Sequence, residues 1–160
     1  MHGPLTVESR YSDPFLAKGL HESLSTFLGM VQNFDENLGR LLDSLDDWGI
    51  DENTIIVFMG DNGTGGGYDP RNGRGFNSGM RDKKGSTYEG GHRVACFIRW
   101  PAALEGGKSV EALTAHLDWL PTLVEFCDLK APGILSFDGK SIARLLQDDA
   151  KVVIASNQVH

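Results

Sequence analysis

Asp61, Asn62 and Gly63 directly follow the apolar run "IIVFMG" at residues 55–60, and three consecutive glycines come shortly afterwards. A carboxylate and a carboxamide oxygen at a strand's end are the hard donors that calcium and magnesium take. Open α/β sheets also place their ligands at the carboxyl ends of strands. Asn62-Gly63 is equally a turn signal, so the same residues read as a plain tight turn. A second polar stretch, "MRDKKGSTYEGGHRV" at residues 80–94, carries Lys83 and Lys84. It reads either as a solvated basic loop turning through Glu89-Gly90-Gly91 into a strand, or as the source of an ammonium for an anionic substrate. His2 precedes Gly3-Pro4, and proline keeps that segment extended, a geometry compatible with an active-site wall.

These residues need elements to hold them. Leu20, Leu24, Phe27, Val31, Phe34, Leu38, Leu41 and Leu45 recur at three- and four-residue steps, which predicts one long amphipathic helix. Ser12 or Asp13 caps it near Pro14, and Gly49 closes it. Interior Gly29 and Gly39 cost helix propensity and point to close packing against a neighbour. "NTIIVFMG" reads as a strand buried on both faces, as in a parallel sheet. "RVACFIRW" reads as a second strand stopped by Pro101. "HLDWLPTLVEFC" reads as a helix with Pro121 in its first turn, "SIARLL" as a short helix and "KVVIAS" as an end strand. Between the strands, residues 60–92 form a long Gly-, Asn- and Arg-rich loop of the length that is usually functional or disordered. Helices alternating with doubly buried strands give an α/β layered architecture.

At 160 residues, with 40% apolar and 23% charged side chains, the chain supports a single domain, residues 1–160. A net charge of −7 argues against a nucleic-acid partner. No apolar run reaches the roughly 20 residues of a membrane span, and residues 1–10 show no leader pattern. Cys96 and Cys127 read as buried free thiols. "GGKS" at 106–109 and "GKS" at 139–141 lack the first glycine of a phosphate-binding P-loop, so nucleotide binding is unsupported.

Four stretches in order resemble the type I sulfatases of the alkaline-phosphatase-like superfamily. They are "HGPLTVESRY", then "GMVQNFDENLGRLLDSLDDWGIDENTIIVFMGDNG", then "MRDKKGSTYEGGHRVACFIRWP", and finally "HLDWLPTLVEF". The resemblance runs from residue 2 to about residue 147. It implies a partial alkaline-phosphatase-like α/β/α sandwich with a mixed, mostly parallel sheet, whose N-terminal portion is missing. Asp61 and Asn62 would then be metal ligands, with calcium the usual ion and magnesium the other candidate. Lys84, which directly precedes Gly85-Ser86, would contact the sulfate. His2 would face the leaving group, and His92 and Arg74 would line the substrate pocket.

The formylglycine motif Cys-x-Pro-x-Arg has no match here. Cys96 and Cys127 begin the wrong sequences, and Ser12 begins "SDPFL", with Leu16 where arginine belongs. The nucleophile is therefore expected upstream, and this chain alone is expected to be inactive. The resemblance also implies an aryl or carbohydrate sulfate ester as substrate, and a secreted, periplasmic or lysosomal location. Two other readings remain open. One is a non-catalytic module that binds sulfated glycans or self-associates through exposed sheet edges. The other is a phosphatase or phosphonate hydrolase of the same superfamily.

Overall fold

The computed structural model describes residues 3–73, 75–130, 133 and 136–147. His2, Arg74 and the expected strand at 151–156 lie outside the described residues. The chain gathers into two compact units, one ending at Arg99 and the other beginning at Trp100.

The first unit opens with two helices where the periodicity predicted one. α1 spans Ser9–Leu16 and α2 spans Glu22–Asp47. The break falls at Gly19, whose φ of 78° lies in the left-handed region that glycine enters without strain. Ser12 and Asp13 therefore sit inside α1, and the cap of α2 is His21, whose Nδ1 accepts from the Ser23 amide at 3.2 Å. At the other end the expectation holds. Gly49 has φ 67°, and the Ile50 amide bonds the Leu45 carbonyl at 3.1 Å, the six-to-one bond of a Schellman motif.

α1 packs on α2 at Gly29, where a Cβ would stand 3.0 Å from the Tyr11 carbonyl carbon. That close approach buries Tyr11, whose hydroxyl donates to Glu36 at 2.8 Å, and it leaves Ser25 with no exposure. Gly39 has no such neighbour; nothing among the described residues lies within 4 Å of its Cβ position. The apolar stripe of α2 is only partly covered. Val31, Phe34 and Leu41 remain exposed, and Phe34 meets the sheet by stacking near Phe58 at 5.4 Å.

The sheet among the described residues has two strands, β1 (Ile56–Met59) and β2 (Cys96–Arg99). They pair antiparallel, with Ile56 opposite Arg99 and Met59 opposite Cys96. The architecture is partial α/β, but the parallel partnership read from the apolar run is not the one these two strands make. An unbroken apolar run reports burial and carries no information about strand direction. Burial itself is less than expected: β1 is half-buried throughout, and Cys96 and Phe97 of β2 are exposed. Cys96 and Cys127 are free thiols on the surface, not in a core. Arg99 ties the strand end to the preceding turn through the Asp51 carbonyl and carboxylate, at 3.1 and 3.0 Å.

The second unit holds a 3-10 turn (His116–Asp118), α4 (Trp119–Phe126) and α5 (Ala143–Gln147). Pro121 sits in the first turn of α4, where its missing amide costs nothing. The "DWLPT" sequence has a structural explanation. Asp118 accepts from the amides of Ala115 at 2.8 Å and Lys140 at 2.9 Å. Thr122, fully buried, donates to the Asp118 carbonyl and accepts from the Ile142 amide at 3.0 Å. Two side chains thus fasten residues 140–142 to the start of α4.

Candidate active site

The route from β1 to the candidate site is set by glycines that leave no room for a side chain. Gly60 continues the antiparallel ladder, its amide donating to Ala95 at 3.1 Å, and a Cβ there would press on Val94 at 3.1 Å. The chain then turns through Asp61-Asn62-Gly63. The Gly63 amide donates to the Gly91 carbonyl at 2.8 Å, and a Cβ on Gly63 would overlap the Gly90 carbonyl oxygen.

Glu89-Gly90-Gly91-His92, expected as a turn, is a single helical turn, α3 (Glu89–His92). Its buried glycines receive close backbone contacts on the other side. A Cβ on Gly90 would overlap the Asp82 carbonyl, and one on Gly91 would overlap that of Ser86. Residues 60–63, 81–86 and α3 therefore stack backbone on backbone, an approach only glycine permits.

That stack brings the lysine loop against the aspartate turn. The Lys84 amide donates to the Thr64 carbonyl at 3.0 Å, and the Lys84 stem lies 3.2 Å from where a Cβ of Gly65 would be. Asn77 stiffens the same loop by donating its side-chain amide to the carbonyls of Met80 at 2.6 Å and Asp82 at 3.0 Å. Gly66 and Gly67 are small for a different reason: the Phe27 ring of α2 comes to 2.7 and 2.8 Å of their Cβ positions. At the base of the glycine-rich loop, Asp69 is buried and Arg71 grips it, with Nε at 2.9 Å from one carboxylate oxygen and an Nη at 2.5 Å from the other. Arg71's side-chain bonds, together with its amide, hold the Asp69 carboxyl down at about 2 against the opposing effect of burial.

Asp61, Asn62, Thr64 and Lys84 line one cavity of about 410 Å3, which Phe76 and Arg93 also border. The Asp61 carboxyl is held below its ordinary value. Its own backbone amide is the largest cause, opposed by partial burial. The Asn62 amide at 3.0 Å and the Lys84 charge add to the lowering. His92 is exposed and does not border the cavity, and Lys83 points its ammonium over the Tyr68 ring at 5.4 Å. Thr64, Phe76 and Arg93 were not singled out by composition or spacing; no sequence signal marks a residue whose role comes from the glycine stack.

Asp61 and Asn62 fit a hard cation by donor type, one carboxylate and one amide oxygen facing an open cavity. They are two of the six to eight oxygens that calcium takes. Among the described residues no cluster of three or more His, Cys, Asp or Glu side chains gathers to complete a shell.

The fold and the cavity define a partial α/β domain that presents oxygen donors and an ammonium to a shared anion pocket. Comparison with known proteins gives that class a family. The Sulfatase family model matches residues 1–129, and the chain belongs to that family. It is 33% identical over 147 residues to steryl-sulfatase of Mus musculus, which covers 89% of this chain and 23% of that one. It is also 33% identical over 166 residues to a sulfatase of Formosa agariphila, covering 97% of this chain and 29% of the relative. The chain thus spans less than a third of the length of these curated relatives. Among solved structures, Ps i-CgsB in complex with k-i-k-neocarrahexaose is similar over 88% of this chain and 30% of its own. That match has a TM-score of 0.76 and 30% identity. A protein solved with its substrate D-glucosamine-2-N,6-O-disulfate is similar over 92% of this chain and 26% of its own, with a TM-score of 0.65 and 26% identity. The fold is therefore a partial alkaline-phosphatase-like α/β domain.

Proposed function

We propose that this chain supplies part of the metal shell and the sulfate-binding lysine of a sulfuric ester hydrolase. Both compact units would belong to one sulfatase catalytic domain. The observation that carries this reading is the shared cavity of Asp61, Asn62 and Lys84. Asp61 and Asn62 would hold calcium, or magnesium, whose positive charge counters the negative charge that grows on the ester oxygens. Lys84 neutralises the sulfate from its own side of the pocket, with its stem braced on Gly65. His2 is assigned, by family resemblance, to hydrogen-bond or protonate the departing alcohol oxygen. His92 is left out of this reading because it is exposed away from the cavity.

The nucleophile, a formylglycine in this family, is not encoded in these 160 residues, since no Cys-x-Pro-x-Arg or serine variant occurs. The chain by itself is therefore expected to show no turnover of an aryl sulfate; measured hydrolysis by the purified chain overturns that expectation. The site reading is tested separately by titrating inorganic sulfate and following the Lys84 resonances by NMR. Substrates of the solved relatives favour carbohydrate sulfates over aryl esters. A secreted, periplasmic or lysosomal location belongs to the same proposal. Among the described residues no helix is long and apolar enough to cross a membrane.

A second reading, a module that pairs with a partner chain, is favoured by the exposure of Phe97 at 64% and Leu41 at 48%. Light scattering separates the two, because a soluble monomer removes the case for self-association.

A further inference from the structure

Resting on the sulfate-ester reading above, we infer that Phe76 and Arg93 select a sugar sulfate bearing a second anionic group, in preference to a plain aryl sulfate. Phe76 borders the cavity and is 83% exposed. Single exposed apolar residues are ordinary on protein surfaces, but this one stands beside a polar pocket. The segment that carries it is also fixed, since the neighbouring Asn77 amide is bonded to the Met80 and Asp82 carbonyls. Binding sites combine apolar walls with a few placed polar groups. A pyranose ring suits such a wall: its C–H face packs on the phenyl ring while its hydroxyls turn to the polar side.

Arg93 supplies the second half of the argument. It borders the same cavity, and its guanidinium is paired with Glu89 at 3.6 Å in a contact that is exposed on both sides. An exposed ion pair of this kind is cheap to exchange for another anion. The guanidinium fork then offers two parallel hydrogen bonds to a sulfate or carboxylate. The surrounding segment, residues 80–94, carries four Lys and Arg side chains against two acidic ones, in a chain whose net charge is −7. With Lys84 assigned to the ester under attack, Arg93 is the cation left for a neighbouring substituent. An aryl sulfate has one anionic group and gives Arg93 nothing to bind.

The experiment is an NMR titration of the whole chain with three probes: inorganic sulfate, a hexosamine carrying one sulfate and the same hexosamine carrying two. The expected result is that the doubly sulfated sugar binds about tenfold tighter than the singly sulfated one, the size of one charged hydrogen-bonding contact. Both sugars, but not inorganic sulfate, shift the Phe76 ring resonances. Arg93→Gln erases the preference, Arg93→Lys keeps part of it, and Phe76→Ala weakens both sugars severalfold. Equal binding of the two sugars without movement of Phe76, while inorganic sulfate still perturbs Lys84, overturns this inference and leaves the site reading standing. No response of Lys84 to inorganic sulfate overturns both.

Discussion

The amide of Lys84 donates to the carbonyl of Thr64 at 3.0 Å, which ties the lysine's own backbone to the chain three residues beyond Asp61. A charge needed at a fixed distance from a cation site works only if its backbone cannot drift, because positioning error weakens electrostatic stabilisation steeply. The bond is held in turn by the glycine stack of Gly63, Gly90 and Gly91.

Gly63→Ala should break that arrangement. The added methyl overlaps the Gly90 carbonyl, and the Gly63 amide is bonded to Gly91, so the turn cannot step aside. A loss on the order of 2–4 kcal/mol is expected. Urea denaturation measures it, and faster hydrogen exchange at the Lys84 amide locates it. An unchanged midpoint would show that the stack is not tight.

Two glycines of α2 should respond in opposite directions. Gly29→Ala places a Cβ 3.0 Å from the Tyr11 backbone and 3.1 Å from the Ser12 nitrogen, so α1 must shift. A cost of about 1–3 kcal/mol is expected. Gly39→Ala meets nothing within 4 Å and gains helix propensity, about 0.5–1 kcal/mol of added stability. Thermal unfolding of the two variants side by side checks both signs.

Asp69 makes the acid limit of the loop predictable. Its folded-state carboxyl titrates at about 2, below the ordinary 3.8, so its contribution to stability is fully present above the ordinary value. That contribution is lost as pH falls from 3.8 toward 2. Asp69→Asn should flatten the acid denaturation curve over that interval and release Arg71 from its grip. A variant whose acid curve matches wild type would remove Asp69 from the account.

Asp61 makes a prediction about the metal. A carboxyl held below 3.8 by its own amide, the Asn62 amide and Lys84 stays ionised through mildly acidic pH. Calcium binding to the assembled domain should therefore be flat there and fall only below about 3.8, since a ligating carboxylate must be deprotonated. Calorimetry across pH, with Asp61→Asn as the weakened control, measures it.

The two adjacent lysines should differ sharply. In the assembled enzyme Lys84→Ala removes a charge from the cavity and should lower kcat by about 100- to 1000-fold, as for an oxyanion-hole donor. Lys83 lies over Tyr68 and outside the cavity lining, so Lys83→Ala should cost only a few-fold. Equal effects from the two would detach Lys84 from the proposed role.

The primary sequence, on its own, determined what depends on local chemistry. The end of α2 at Gly49, Pro121 in the first turn of α4, and the strand running into Asp61 and Asn62 all follow from propensity and pattern over a few residues. So does the order of segments that resembles the sulfatases. Tertiary structure decided what depends on approach between distant segments. It cut one predicted helix into α1 and α2 at Gly19, because periodicity continues across a left-handed residue that reverses the chain. It paired β1 and β2 antiparallel, since apolar runs are blind to strand direction. It placed Lys84 at the cavity and turned Lys83 to Tyr68. The glycines appear in the sequence only as an absence of side chains; the reason for that absence is a carbonyl or a ring from another part of the chain, and only folding brings it there.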